Sequence, residues 1–396
     1  MAKVTSGSQE PTEQQPLGRK IIVRSLIFLA AFCLLFSVFV IPMGLANALN
    51  TLMNTSYRLL MDTTFYIMAI AVMAGAICAL FTAYGVVDLL NRLLSPLMRP
   101  LFGMPGAAAL GIVTTYLSDN PAILSLAGDH RYLRYFKAYQ VPALTNLGTS
   151  FGMGLIVTTF ILGLGNVSGE STVLAAVCGN LGAICGSILS TRLMMHFTAK
   201  SLGREAPADL SKIAPQKKDG EELDPNERPK FLSCLMEGGK KGVELGMGII
   251  PGVLIICTLV MMLTNGMPEG GYTGAAFEGV GLLPKLADHL DFILKPLFGF
   301  SSAADIAVPV TALGSAGAAM GVIPSLVMKA QANCNDLAVF TAMCMCWSGY
   351  LSTHVSMMDV LGCTKFTGKA ILSHTIGGIM AGISAHWIYV LFSMIF

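Results

Sequence analysis

The sequence predicts an all-α polytopic membrane protein. It is read as two inverted structural repeats, with about seven transmembrane helices plus two re-entrant helical hairpins. Three observations carry that expectation: a composition too apolar for water, long uncharged runs, and an internal match at one constant offset.

Of 396 residues, 54% are hydrophobic and 12% are charged. A soluble domain carries about 25% charged residues, so this chain lacks the polar surface to cover a globule. Its 42 glycines suit helices that pack closely in lipid. The net charge of +2 gives no footing for nucleic acid. Of the ten cysteines, Cys33, Cys78, Cys178, Cys185 and Cys257 lie in apolar runs and read as free thiols. Cys344 and Cys346 are two apart on a helix and point to different faces, so no metal site is expected there.

A span needs about 20 apolar residues. Residues 1–20 are polar and read as a disordered cytoplasmic tail. Arg19, Lys20 and Arg24 precede the first transmembrane helix, placed in 21–50 and retained as an anchor. Further helices are expected in 63–87, in 138–169 from about Pro142, and in 171–191. A polar cytoplasmic linker, 199–230, carries Lys217, Lys218, Glu221 and Glu222. Beyond it, helices are expected in 245–268, 337–358 and 370–396. Repeat one is then 60–198 and repeat two 231–396.

Two apolar stretches are interrupted in the middle: 105–129 by Ser118-Asp119-Asn120-Pro121, and 301–329 by Gly314-Ser315-Ala316-Gly317. Ser, Asp or Asn before Pro marks a helix start. A start inside an apolar stretch means two half-helices, so both are read as re-entrant hairpins. At an offset of 196, Pro100-Leu101-Phe102-Gly103 matches Pro296-Leu297-Phe298-Gly299. Thr115 then matches Thr311, Thr145 matches Thr341, Gly182 matches Gly378, and Asp119 falls opposite Ser315.

With a cytoplasmic N-terminus and both hairpins returning to their own side, 21 of the 25 basic residues lie inside. The other 4 are Arg58, Lys285, Lys295 and Lys329. That asymmetry follows the positive-inside rule and leaves the C-terminus outside. The repeats are then inverted, an arrangement that recurs in transporters whose broken helices meet near the midplane.

Backbone that is not helical must be buried in protein or line a wet cavity at membrane depth. The candidate substrate- or ion-binding residues are therefore those of the interruptions and their neighbours: Thr115, Ser118, Asp119, Asn120, Thr311, Gly314 and Ser315. Asp119 is the sole charged residue between Arg99 and Asp129, and an intramembrane acid is a functional candidate by default. Its roles include capping a half-helix, holding a substrate donor, and carrying Na⁺ or H⁺ as the coupling ion. Asn146 and Ser150 share a helix face, and interhelical bonding competes with ligand contact there. Ser348 belongs to a weaker counterpart with Ser352, Thr353 and His354, and His374 reads as a packed histidine. Asp305 lies nearer the mouth of its hairpin and reads as an entrance or interfacial residue.

The segment 103–128, with Ser118-Asp119-Asn120-Pro121-Ala122-Ile123, resembles the bacterial nucleoside-recognition or Gate family. That family is related to concentrative nucleoside transporters, and its two-module layout here resembles the spore dipicolinate transporter branch. The resemblance covers about 60–200 and, more weakly, 240–396. It implies a multi-pass protein of the bacterial cytoplasmic membrane with its site at the hairpin tips. The second module departs from the pattern with Ser315-Ala316-Gly317.

The leading expectation is a secondary-active carrier of a small polar metabolite (nucleoside, amino-acid-like or carboxylate), working by alternating access. Its partners are the lipid bilayer and the solute, with a homo-oligomer left open and no resident cofactor. A metal-ion permease and a structural or signalling protein of the spore-maturation type are the alternatives. No nucleophile–base pair or His motif suggests an enzyme, and nothing resembles an ATP-binding domain.

Overall fold

The computed structural model describes residues 19–120, 122–123, 130–208 and 231–395. Among these, six helices are long and apolar enough to cross a membrane, or seven if one bent pair counts as a span. The polytopic helical expectation therefore holds. Several boundaries move, each for a local reason. Helix α1 (Arg19–Met43) ends at Gly44, whose φ of 76° is closed to most side chains. The next span starts at once rather than at residue 63. It comprises α2 (Leu45–Arg58), a π-turn (Leu59–Thr64) and α3 (Phe65–Ala83). The first part is missed by a search for apolar runs because α2 carries Asn47, Thr51, Asn54 and Thr55.

Those polar groups bind the loop 265–281. Asn47 Nδ2 donates to the Tyr272 carbonyl (3.2 Å), Asn54 Nδ2 to that of Gly274 (2.8 Å), and Phe277 N to Thr55 Oγ1 (2.9 Å). Glu278 is buried in the middle of the loop. Its carboxylate accepts from Thr273 Oγ1 (2.6 Å), Thr273 N (3.1 Å), Gly274 N (3.0 Å) and Thr51 Oγ1 (3.4 Å).

After the amphipathic α4 (Val86–Leu97), the first hairpin descends as α5 (Ala108–Leu117) and breaks at Ser118. Residues 121 and 124–129, within the expected hairpin 105–129, lie outside the described residues. The expected helix in 138–169 is two pieces, α6 (Ala143–Thr149) and α7 (Gly154–Gly163), parted by Met153 at φ 55°. A two-residue turn at Ser168 and Gly169 (φ 54° and 85°) closes a small strand pair, 166–167 with 170–171. This positive-φ pair is what a tight hairpin needs. Helix α8 (Thr172–Leu202) closes repeat one.

Repeat two begins with α9 (Phe231–Gly252), a π-turn (Val253–Cys257) and α10 (Thr258–Thr264). Short helices α11 (Leu282–Asp288) and α12 (Asp291–Phe298) follow. The second hairpin has a 3₁₀ turn (Ala303–Ile306) and α13 (Ala307–Ala312), then returns as α14 (Ala316–Met328). Helix α12 bends 78° into that hairpin. The expected helix in 337–358 is again two pieces, α15 (Cys334–Cys346) and α16 (Tyr350–Val360), parted by Gly349 at φ 66°. Helix α17 (Thr367–Ser393) ends the repeat.

The offset of 196 is thus structural. It carries Gly103 (φ 71°) onto Gly299 (φ 66°) and Met153 onto Gly349, so the left-handed breaks coincide. It also carries α8 onto α17, which pack on each other. A Cβ on Gly182 would meet Ala385 and Ala381, and one on Gly186 would meet Gly377 and Ala381. Rising numbers on one helix meet falling numbers on the other, so equivalent helices run antiparallel and the repeats are inverted. The opening helices do likewise, Gly75 against Gly238 and Ala71 against Gly242. Lipid gives helices no hydrophobic drive to associate, so close backbone approach through small residues holds these seams.

Two outcomes follow. Gly238→Leu, whose Cβ would sit 2.3 Å from the Gly75 carbonyl oxygen, is expected to destabilise by about 1–3 kcal/mol or more. Gly248→Leu, with nothing within 4 Å, is expected to change little; thermal unfolding in detergent compares the two. Burial pushes the Glu278 carboxyl up, but its donors from Thr273 and Gly274 outweigh that and hold it below the ordinary glutamate range. Its stabilisation is therefore present above the unfolded-state value and lost as pH falls through the folded one. Glu278→Gln is expected to lose that acid limb from the unfolding temperature measured against pH.

Candidate functional site

Among the described residues, helices are interrupted at 118–120, 150–153, 313–315 and 347–349. Each leaves backbone groups without helical partners. The structure resolves that problem by pairing interruptions with one another. Asn120 Nδ2 donates to the Ser348 carbonyl at 2.6 Å. The neighbouring Gly349 N donates to the Ala312 carbonyl at 3.1 Å, and a Cβ on Gly349 would lie 3.1 Å from the Gly314 oxygen. One break, Ser348-Gly349, therefore touches both hairpins.

Asn120 is also locked from its own repeat. A Cβ on Gly152 would lie 1.5 Å from Asn120 Oδ1, so glycine at 152 is what lets the amide enter. That Oδ1 is buried and has no partner among the described residues. Asp119 Oδ1 accepts from Asn120 N at 2.7 Å, and the Asp119 carbonyl accepts from Ala122 N at 2.9 Å. No Lys or Arg pairs with Asp119 among the described residues. Ser118 is exposed at the tip, as is Gly314 at the equivalent position of the second hairpin. Ser315 caps α14, its Oγ accepting from Ala318 N at 3.2 Å, and it rests on Gly252 just before the π-turn.

The remaining sequence candidates sit elsewhere. Thr115 and Thr311 bond back to their own helices, at the Gly111 carbonyl (2.8 Å) and the Ala307 carbonyl (2.6 Å). Ser150 Oγ does the same to Asn146 (2.8 Å). Asn146 joins helices: its Nδ2 donates to Ser190 Oγ (3.0 Å) and to the Ala370 carbonyl (3.1 Å).

Ser190 meets His374 Nδ1 at 2.9 Å, and His374 Nε2 meets the Cys346 carbonyl at 2.5 Å. A carbonyl can only accept, so Nε2 carries the proton and Ser190 donates to Nδ1. The result is a directed chain, Asn146 to Ser190 to His374 to the end of α15. His354 lies beside it, its ring tilted 43° to that of His374 with centroids 4.7 Å apart. Sequence reasoning missed Gly152, Met153 and Gly349 as parts of the site. The visible signal was a cluster of glycines, 148, 152 and 154, inside one apolar run.

Chemically, the breaks present two kinds of group. Helices α7, α14 and α16 begin at them and place the partial positive charge of three helix N-termini at the breaks. Asp119, Asn120 Oδ1 and the tip carbonyls offer acceptors. Among the described residues, no three His, Cys, Asp or Glu side chains are grouped to hold a metal ion. An apolar cleft of about 300 Å³ between α3 and α7, lined by Ile70, Met73 and Leu155, lacks this chemistry.

No family model and no curated protein matches the sequence. Solved structures do match in shape. A doubly substituted CNTnw, a concentrative nucleoside transporter, in an outward-facing state aligns with TM-score 0.52 at 14% identity, over 97% of this chain and 94% of that one. CNTnw in an inward-facing, substrate-bound state aligns with TM-score 0.48 at 13% identity, over 83% and 75%. The first match shows that this chain has a nucleoside-transporter-like fold.

Gly152→Ala is expected to cost about 1–3 kcal/mol by displacing Asn120. Asn120→Ala, which unpairs the buried Ser348 carbonyl, is expected to cost a similar ~1–3 kcal/mol. The double variant should lose less than the sum, because the alanine at 152 then has no amide to strike. Thermal unfolding of the four proteins measures the coupling.

Proposed function

We propose that this protein is a secondary-active carrier of a small, uncharged polar solute of the nucleoside class. The observation that carries the reading is that one break, Ser348-Gly349, binds both hairpin interruptions, Asn120 on one side and Ala312 with Gly314 on the other. Two inverted hairpins joined at one point let a single site be reached from either side as the repeats exchange conformations. The likeness to CNTnw supports the fold in which that motion would occur.

The chemistry favours a solute carrying both donors and acceptors. Helix N-termini suit carbonyl or ring-nitrogen acceptors, whereas Asp119 suits hydroxyls or N–H groups. A sugar joined to a base offers both. Among the described residues no Lys or Arg pairs with Asp119, which makes an anionic solute a poorer fit to that carboxylate. Na⁺ or H⁺ would drive accumulation.

Uptake of labelled uridine into proteoliposomes tests the reading, with an imposed Na⁺ or H⁺ gradient. The expected result is accumulation that Asp119→Asn lowers at least tenfold, with protein content and folding unchanged. Equal uptake by wild type and empty liposomes would remove uridine and its class from the proposal.

A further inference from the structure

Two carboxylates stand apart from the site just described. Asp305 lies in the 3₁₀ turn at the mouth of the second hairpin, and Asp336 in the first turn of α15. The sequence suggested an entrance or interfacial position for Asp305; in the structure both are wholly buried. Asp336 is saturated: Oδ1 accepts from Ser301 N (3.2 Å), and Oδ2 from Ser301 Oγ (2.6 Å) and Asn333 N (2.8 Å). Asp305 Oδ2 accepts from Ser302 N at 2.8 Å. Consecutive residues of one turn thus hold the two acids side by side. Asp305 Oδ1 is enclosed and has no partner among the described residues.

The other repeat supplies an internal control. At the same offset, Gln140 replaces Asp336 and Ala109 replaces Asp305. Gln140 Oε1 accepts from Lys137 N (3.0 Å), as Asp336 does from Asn333 N. Its Nε2 donates to the Gly103 carbonyl (3.1 Å), a task that Asn335 Nδ2 performs at Gly299 (3.1 Å). The joint between hairpin and following helix is therefore built in repeat one without any acid. Asp305 and Asp336 each close a capping box at the start of their helix, a task that needs an acceptor but not two neighbouring charges.

The surroundings do not neutralise them. On α11, which packs against the turn, Lys285 and Asp288 are exposed. On α12, Lys295 pairs with Asp291 at 2.8 Å. On α17, His386 Nδ1 is engaged by Asn335 Oδ1 at 2.7 Å. Beyond Asp336 stand Cys334 and then Glu170, which accepts from Tyr389 at 2.6 Å. No Lys or Arg bridges to either acid among the described residues. Two adjacent buried negative charges without a cation are costly. A metal ion would call for several open oxygens converging on one point. Here one oxygen is open, and a proton needs one.

We propose that Asp305 and Asp336 form a proton-binding site, with the proton on Asp305 Oδ1, and that its occupancy fastens the mouth of the second hairpin to α15. With the proton in place, the pair carries one negative charge, and the open oxygen becomes a donor toward its neighbour. Without it, two carboxylates repel across the joint. The assignment does not depend on which solute is carried.

Infrared spectroscopy of the full-length protein across pH tests it through the C=O stretch of a protonated carboxyl. Wild type is expected to show a pH-dependent band that Asp305→Asn removes and Asp119→Asn retains. Asparagine keeps the acceptor for Ser302 N and places a donor on the open position, so this variant is expected to fold. If it does not, Asp336→Gln, the residue of repeat one, is expected to remove or shift the same band. The unfolding temperature of Asp305→Asn should also vary less with pH than that of wild type. A band absent from wild type, or unmoved by either substitution, would overturn the proposal. So would a Na⁺-dependent stabilisation of wild type lost in Asp305→Asn with no such band, which would make the occupant a metal ion.

Discussion

Everything in this molecule answers to one constraint: backbone that leaves a helix at membrane depth must find partners inside the protein. Each unpaired buried amide or carbonyl costs about 1–3 kcal/mol. The problem arises at the breaks 118–120, 150–153, 313–315 and 347–349. The chain meets it by bringing breaks together, Asn120 onto Ser348 and Gly349 onto Ala312. Grouping them is what the proposed function rests on. The same place that satisfies broken backbone also gathers helix N-termini and exposed hairpin tips, which are the parts a polar solute needs.

The inverted repeat explains how such a place can be built economically and then specialised. Equivalent helices α8 and α17 lie antiparallel, with glycine against alanine and glycine, so one packing solution serves both halves. The breaks share conformation as well, with Met153 and Gly349 both left-handed. The side chains diverge on this common frame. Hairpin one carries Asp119 and Asn120, whereas hairpin two carries Gly314 and Ser315. At the mouths the contrast runs the other way, with Gln140 and Ala109 in repeat one and an acid pair in repeat two. Symmetry thus supplies the scaffold and asymmetry the chemistry.

Much of this was legible in the sequence, because apolar length and charge are what lipid selects. The polytopic helical class, the offset of 196 and the interruption at Ser315 could be read directly, and Ser315 does cap α14. The helix α2 could not, because its polar face satisfies a loop more than 200 residues away, and periodicity carries no record of such a partner. The breaks at Met153 and Gly349 were hidden in runs that look continuous to a hydropathy scan. A single left-handed residue ends a helix without any change in polarity. Asn146 illustrates the limit for sites: its position shows a polar group on a helix, whereas its partners, Ser190 and Ala370, are set by packing between repeats.

The central claim is that both hairpins serve one site through the Ser348-Gly349 break. Calorimetric titration of the purified protein with uridine tests it most directly. One solute should bind per chain, and both Asp119→Asn and Ser315→Ala should weaken that same binding. Two independent solutes per chain, or binding weakened by one substitution and indifferent to the other, would contradict it.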